Sequence, residues 1–343
     1  MISRIGVGFV ALAMVIGTWT LHAADELPPI RLSPRSSSFV CESSTASPVA
    51  VRKVSSVQTE NWTWQLFPSS FIYPTYLAAV QNRLGGAWNY DENENWVWDI
   101  TLGGRAPLLR YGTRSTLYPE GWQFDMEGSV HLRLHLRHAM DMEANDFRFG
   151  FPISYGTKVW QARFGYYHVS THMGDERMIR HFDENYPGLP VGGPGDPAIP
   201  NNTAGMGTRN ESNYRTNYYR EALLFSYAYR PTDNTRLYAE VDYAVLAGMS
   251  TKPWHFQFGA EYSPLFPAAR GEWGTPFAAI NARLMQEHNF DGNVTLQAGW
   301  QWRGSRNQLL RLGAQYHTGV SEHYSFINHR RENKIGFGVW YDF

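Results

Sequence analysis

The sequence predicts an all-β fold, an antiparallel transmembrane β-barrel of the outer-membrane type with about 12 strands and a flexible N-terminal segment. Apolar and polar residues alternate in long segments along most of the chain, and aromatic residues crowd the segment ends. A period of two puts the two sets on opposite faces of a strand. The segment 121–137 exceeds the usual soluble strand of about 3–10 residues. It suffices for a tilted strand crossing a bilayer, which takes about 9–11 residues.

Strand by strand, the alternation gives an even number of segments, as bacterial barrels require when both ends lie on one side of the membrane. The segments are 75–87, 96–110, 121–137, 145–155, 157–170, 214–230, 234–247, 254–263, 276–287, 293–303, 308–318 and 334–343. Tight turns fall on one side of the predicted wall, and the longest connection, 171–213, falls on the other as an external loop. A soluble β-sandwich is the alternative, but Phe147, Phe149 and Phe151 share one face, as lipid-facing residues do.

The last segment, KIGFGVWYDF, places one aromatic and aliphatic set on a single face and ends on Phe343. Such an ending resembles the C-terminal signal of bacterial outer-membrane barrels. The resemblance implies that barrel-assembly machinery binds the chain through Phe343 and that the protein lies in the bacterial outer membrane.

The N-terminus divides into two parts before the predicted barrel, 75–343. Residues 1–24 read as a cleaved secretory signal peptide, with Arg4 ahead of an apolar run. Residues 25–74 are rich in Ser and Pro and predict a flexible periplasmic segment. Its aromatic end, 61–74, predicts a cap at the periplasmic mouth. Cys41 is the only cysteine, so no internal disulfide can form.

The charges predict a polar lumen. Net charge is −1 and gives no reason to expect a nucleic-acid partner. Both signs alternate on the face opposite the apolar one, so we expect a salt-bridged network that fills the lumen, because isolated buried charges are costly. This favours a structural, binding or restricted-transport role over an open porin, whose constriction would show one dominant sign. The lumen set is Arg133, Arg137, Arg148, Arg163, Arg236, Arg283, Arg311, Asp125, Glu127, Asp146, Glu240, Asp242 and Glu261.

Five blocks together resemble a family of bacterial envelope proteins known only as a domain of unknown function. They are GYYHVSTHMGDE (165–176), NYYREALLFSYAY (217–229), WHFQFGAEYSP (254–264), VTLQAGWQWRG (294–304) and the terminal IGFGVWYDF. The resemblance spans roughly residues 75–343. It implies an outer-membrane barrel and assigns no activity and no catalytic residue.

One site on the predicted outer wall combines residue types that are used in ester hydrolysis. The outward parity of Trp160 continues to His168 and Ser170, which therefore lie side by side near the external end. If Trp160 pairs with Tyr229 on the next strand, Glu221 falls opposite His168. His-x-Ser on an outer wall resembles outer-membrane phospholipase A and the lipid A deacylase. This implies Ser170 as nucleophile and His168 as general base, with Glu221 orienting the imidazole.

His168 and Ser170 are compatible with a catalytic and with a non-catalytic role. An outer-leaflet lipid esterase would take outer-membrane lipids as substrates, whereas headgroup-boundary placement would explain His168 and Ser170 without catalysis. The phospholipase continues its motif with Asn-Gly, and here Thr171 and His172 follow. A metal-ligand role for His168 and His172 is a further alternative. No cofactor is predicted, except that the esterase could use calcium held by Asp175, Glu176, Asp183 and Glu184 with loop carbonyls. Homo-oligomerisation is left open.

Overall fold

A computed structural model of the protein describes residues 61–174, 177, 218–248, 251–265, 273–326 and 331–343. The predicted signal peptide 1–24, the part of the Ser/Pro-rich segment before residue 61 and most of the predicted external loop 171–213 lie outside these residues. Within the described part of the chain, no helix has the length and apolar character needed to cross a membrane.

The described strands form one antiparallel sheet. β2 to β13 pair in chain order, and β13 pairs back with β2, which closes a barrel of twelve strands as predicted. β1 is a short addition that pairs with the end of β3. The bounds are β1 (Thr63–Leu66), β2 (Leu84–Asp91), β3 (Asn95–Gly112), β4 (Gly121–His135), β5 (Asp141–Gly156), β6 (Trp160–Met173), β7 (Tyr219–Thr232), β8 (Thr235–Ala247), β9 (Trp254–Tyr262), β10 (Thr275–Met285), β11 (Asp291–Arg303), β12 (Leu309–Val320) and β13 (Arg331–Asp342).

The predicted first strand, 75–87, is corrected by the structure, because the barrel begins only at Leu84. Residues 68–83, here called the lumen segment, run through the inside of the barrel. Ile72, Tyr73 and Tyr76 in it have no exposed surface. A strand of the wall must leave one face to the lipid, and this segment has no such face, since its neighbouring residues are buried whatever their parity. The Asn61–Pro74 aromatic stretch is therefore divided between wall and lumen and is not a simple cap.

The wall has the two faces that the alternation predicts. Outward residues such as Phe147, Phe149 and Phe164 are 46%, 44% and 54% exposed, while the lumen-facing Arg133 and Arg163 are buried. Arg137 is an exception to the predicted lumen set. It lies in the turn after β4 and is exposed, because the strand ends at His135.

The C-terminal strand joins the two ends of the sheet. β13 pairs with β12 on one side and with β2 on the other. The Phe343 ring packs against Gly104 of β3 so closely that a Cβ there would lie 2.7 Å from the Phe343 Cε2 atom. A side chain at position 104 would therefore displace the terminal ring from the barrel wall.

A loop from the opposite end of the barrel folds back into the lumen. Ser321–Phe326 follows β12, and Tyr324, Ser325 and Phe326 are buried in it. The Tyr324 backbone N–H donates to the Asp146 Oδ2 atom of β5 at 3.0 Å. This loop is here called the inner loop. It turns inwards because Asp146 binds its backbone and because Asp99, Thr171 and Arg283 of the wall bind its side chains.

Candidate active site on the outer wall

The register between β6 and β7 is the one expected from the sequence. Trp160 lies opposite Tyr229, and His168 lies opposite Glu221. The side chains of His168 and Glu221 are 21% and 23% exposed. Both point to the outer face, because the intervening residues of β6 are buried in the lumen.

The two side chains form a hydrogen-bonded pair. The His168 Nδ1 atom lies 2.6 Å from the Glu221 Oε1 atom. A carboxylate oxygen accepts, so Nδ1 carries the hydrogen and Nε2 is left as the acceptor of the neutral imidazole. This tautomer has the form that a general base needs, with one ring nitrogen oriented by an acid and the other directed to a nucleophile.

Two aromatic residues complete the surroundings of the pair. The Phe149 ring stacks on the His168 ring, with centroids 4.9 Å apart and planes at 26°. The Tyr166 O–H donates a hydrogen bond to the Glu221 Oε2 atom. Sequence reasoning missed both contacts. The shared outward parity of Tyr166 and His168 was a usable signal, but the diagonal reach of the phenol to Glu221 depends on side-chain torsions.

Ser170 lies on the same outward face, two residues beyond His168, between Phe147 of β5 and Tyr219 of β7. Two residues along a strand correspond to roughly 6.8 Å. Among the described residues, no hydrogen bond joins Ser170 to His168. The structure therefore brings together His168 and Glu221 and places Ser170 next to them. Catalytic hydrogen bonds of this kind commonly tighten when the substrate is bound.

The wall is irregular at this point. The pairing of β7 with β8 shifts between Glu221 and Ala222, which lie opposite Leu246 and Ala244, so one residue of β8 is left over as a bulge. Bulges change the direction of nearby side chains and are frequent beside functional sites. A carboxylate on a lipid-facing wall is unfavourable unless it lies near the interface or has partners, and Glu221 has two donors.

The residues predicted as metal ligands do not come together in the described part of the chain. The predicted calcium ligands Asp175, Glu176, Asp183 and Glu184 lie outside the described residues. His172 does not join His168; its ring packs against Phe147 at a centroid distance of 6.1 Å.

Elsewhere on the external side of the barrel, donor atoms of Glu94, His135 and Glu143 lie within 4.8 Å of one another. There the guanidinium of Arg177 donates to Glu143 at 2.8 Å and to Glu94 at 3.3 Å. The guanidinium of Arg177 already neutralises these carboxylates, so the cluster is better described as an ion-pair network than as a metal site.

The lumen contains the predicted charge network. Ion pairs join neighbouring strands, such as Arg105 of β3 and Asp125 of β4 at 3.1 Å. They also join strands two apart, such as Arg163 of β6 and Glu240 of β8 at 2.7 Å. The arginines have a second role that the sequence did not reveal, because their guanidinium groups donate to backbone carbonyls of the lumen segment. These bonds are Arg110 to Ser70, Arg105 to Tyr73, Arg236 to Pro74 and Thr75, and Arg311 to Leu77.

A polar cavity lies between the lumen segment and the inner loop. Val80 of the lumen segment and Tyr324 of the inner loop both line it, together with Asp146 and Arg283 of the wall. The cavity is thus bounded by chain from both ends of the barrel. Within the described residues, the lumen segment and the inner loop occupy the interior of the barrel on either side of this cavity.

The comparisons with known proteins bear on the fold and the family. Outer membrane phospholipase A from Escherichia coli is 13% identical, with a TM-score of 0.45, over 78% of this chain and 91% of that chain. The dimer of the same enzyme type from Salmonella typhi, with bound calcium, is 12% identical, with a TM-score of 0.47, over 79% and 91%. The KdgM porin is 10% identical, with a TM-score of 0.40, over 76% and 99%. Identities and TM-scores as low as these support no conclusion about the chemistry of this chain.

No curated protein matches the sequence. Residues 206–343 match the family described as "Protein of unknown function (DUF1207)". Three of the blocks that suggested such a family, 217–229, 254–264 and 294–304, and the terminal block fall inside this range. The family resemblance is supported over this range, whose described residues include the strands β7 to β13.

Proposed function

We propose that the protein is an esterase of outer-leaflet membrane lipids, with Ser170 as nucleophile, His168 as general base and Glu221 as the residue that orients the imidazole. The observation that carries the proposal is the 2.6 Å bond between His168 Nδ1 and Glu221 Oε1 on the outer wall. A carboxylate on a lipid-facing wall is unfavourable without partners, and this one is bonded to an imidazole that lies two residues from a serine on the same face.

We propose the following chemistry for these side chains. The Ser170 Oγ atom attacks the ester carbonyl while His168 Nε2 takes its proton, and Glu221 stabilises the resulting imidazolium. His168 then protonates the leaving alcohol, which departs and leaves an acyl group on Ser170. Water, activated by the same imidazole, hydrolyses that ester and releases the fatty acid. The acyl chain would lie against the apolar wall formed by Phe149, Phe164 and Leu223.

This function requires a location in the bacterial outer membrane. The apolar outer face and the polar lumen support it, and a cleaved signal peptide at 1–24 with assembly through Phe343 remains our prediction of how the chain arrives there. Calcium as a cofactor and homo-oligomerisation also remain predictions. The lipid substrates are the only partners that the proposal needs.

A second candidate is a barrel with a structural, binding or restricted-transport role. The observation that favours it is the filled lumen, where the lumen segment receives hydrogen bonds from at least four wall arginines. Transport in this form would require displacement of that segment. This candidate explains His168 and Ser170 on the outer face by their placement at the headgroup boundary, without catalysis.

The deciding experiment is ester hydrolysis by the refolded barrel. Phospholipid or lipopolysaccharide in mixed micelles is supplied with and without calcium, and the released fatty acid is measured. We expect activity in the wild type, its loss in Ser170→Ala and His168→Ala, and its retention in His172→Ala, a matched outward histidine on the same strand. Heat-shifted gel mobility checks each fold. Absence of wild-type activity under all these conditions, or equal activity in the Ser170→Ala barrel, would refute the proposal.

A further inference from the structure

The second carboxylate oxygen of Glu221 has its own donor. Oε1 accepts from His168 Nδ1 at 2.6 Å, and Oε2 accepts from the Tyr166 hydroxyl. Tyr166 and His168 are two apart on β6, and Leu223 is the residue directly opposite Tyr166 on β7. The phenol therefore reaches diagonally across the strand pair, a distance that aromatic side chains can span.

This arrangement fixes the rotation of the carboxylate. With one donor only, the Glu221 carboxylate could turn about its terminal torsion, which is broad and roughly two-fold. A second donor on Oε2 keeps Oε1 directed at Nδ1, and so keeps Nε2 as the free acceptor for Ser170. The two donors also stabilise the negative charge of the Glu221 carboxylate on a face where charge is unfavourable.

Tyr166 does not touch the reacting atoms. It lies four residues before Ser170 on the same strand, which corresponds to roughly 13 Å, and His168 stands between them. We propose that Tyr166 is a positioning residue for the proposed esterase, acting through Glu221 on the orientation of His168. This inference rests on the proposed function and deepens it.

The test compares Tyr166→Phe, which removes only the hydroxyl, with Tyr227→Phe. Tyr227 is an outward tyrosine of β7, 44% exposed, without a side-chain hydrogen bond in the described part of the chain. We expect kcat of Tyr166→Phe to fall about 10-fold, as for a lost hydrogen bond to a charged group, with KM unchanged. The rate at which a long-chain alkylsulfonyl fluoride labels Ser170, followed by mass spectrometry, should fall in parallel.

A further readout separates positioning from a general structural effect. In the Glu221→Gln background, adding Tyr166→Phe should change kcat by less than about 2-fold, since coupled residues are not additive.

The outcomes are distinguishable. If the wild type neither hydrolyses ester nor reacts with the sulfonyl fluoride, the proposed function fails and this inference fails with it. If the wild type is active and Tyr166→Phe matches it in kcat and labelling rate, only the role of Tyr166 is overturned. The inference is also overturned if Tyr166→Phe lowers kcat equally with and without Glu221.

Discussion

Tyr76 of the lumen segment stacks on Tyr238 of β8, with ring centroids 3.8 Å apart and planes at 11°. The Tyr76 hydroxyl also donates to the Glu240 Oε2 atom at 3.2 Å. Both rings are buried. A stacked aromatic pair contributes about 0.5–1.5 kcal/mol beyond its area burial, so this contact helps to fix irregular backbone inside the barrel.

The first prediction concerns ion conduction. The wild-type barrel in a planar bilayer should show no steady open state, because the lumen segment and the inner loop fill its interior. Tyr76→Ala combined with Arg83→Ala should raise the frequency of open events, since the Arg83 guanidinium donates to the carbonyls of Leu77 and Ala79 within the same segment. Single-channel recording measures both the steady open state and the frequency of open events.

The matched control for conduction is Trp64→Ala, which alters a ring on the outside of β1 that is 67% exposed. It should leave the recordings unchanged. Large steady currents through the wild type would contradict the assignment of a filled lumen.

The second prediction contrasts a buried and an exposed ion pair. Lys334 Nζ lies 3.0 Å from Asp99, 2.9 Å from Glu322 and 3.0 Å from Glu332. Lys334→Met should lower the free energy of unfolding by about 3–5 kcal/mol, because it removes a buried cation that three carboxylates share. Asp99 and Glu332 keep Arg133 as a partner, but Glu322 loses its lysine. Denaturant unfolding in lipid vesicles, followed by tryptophan fluorescence, measures the change.

The exposed control is Arg331, whose partner is Asp291, with side chains 66% and 57% exposed. Arg331→Met should change the free energy of unfolding by no more than about 1 kcal/mol, as for surface ion pairs in general. Equal effects of the two substitutions would show that burial of the Lys334 cluster does not determine its contribution to the free energy of unfolding.

The parts of the molecule that could be predicted from the sequence are those in which side chains alternate between the two faces of a strand. The wall, its closure by β13 and the pairing of His168 with Glu221 all follow from parity once Trp160 is set opposite Tyr229. A shift of one residue would have moved every side chain to the other face, so the hydrophobic pattern holds this register.

The lumen segment could not be predicted in the same way. Its residues 75–83 entered the predicted first strand because no local pattern marks a chain that is surrounded on all sides. Its position depends on hydrogen bonds from Arg105, Arg236 and Arg311, which belong to wall strands distant from it in sequence. The inner loop depends likewise on Asp146 across the lumen.

The last prediction concerns pH and the inner loop. The His323 Nε2 atom lies 3.2 Å from Asp99 Oδ1, and Nδ1 lies 3.5 Å from Asp146 Oδ2. Burial and the nearby Arg133 oppose protonation, but the two carboxylates outweigh them and raise the pKa of His323 above its ordinary value. A raised folded-state pKa stabilises the loop fully below the ordinary value near 6.5 and loses that effect as pH rises through the folded value.

Hydrogen–deuterium exchange of residues 321–326, corrected for intrinsic rates, should therefore show weaker protection at about pH 8 than at about pH 5. His323→Gln should remove this difference, because an amide does not titrate in the range, while the β12 peptide 309–320 serves as an internal control in both proteins. If protection of the loop were the same at both pH values in the wild type, the imidazolium of His323 would not be what holds the inner loop against Asp99 and Asp146.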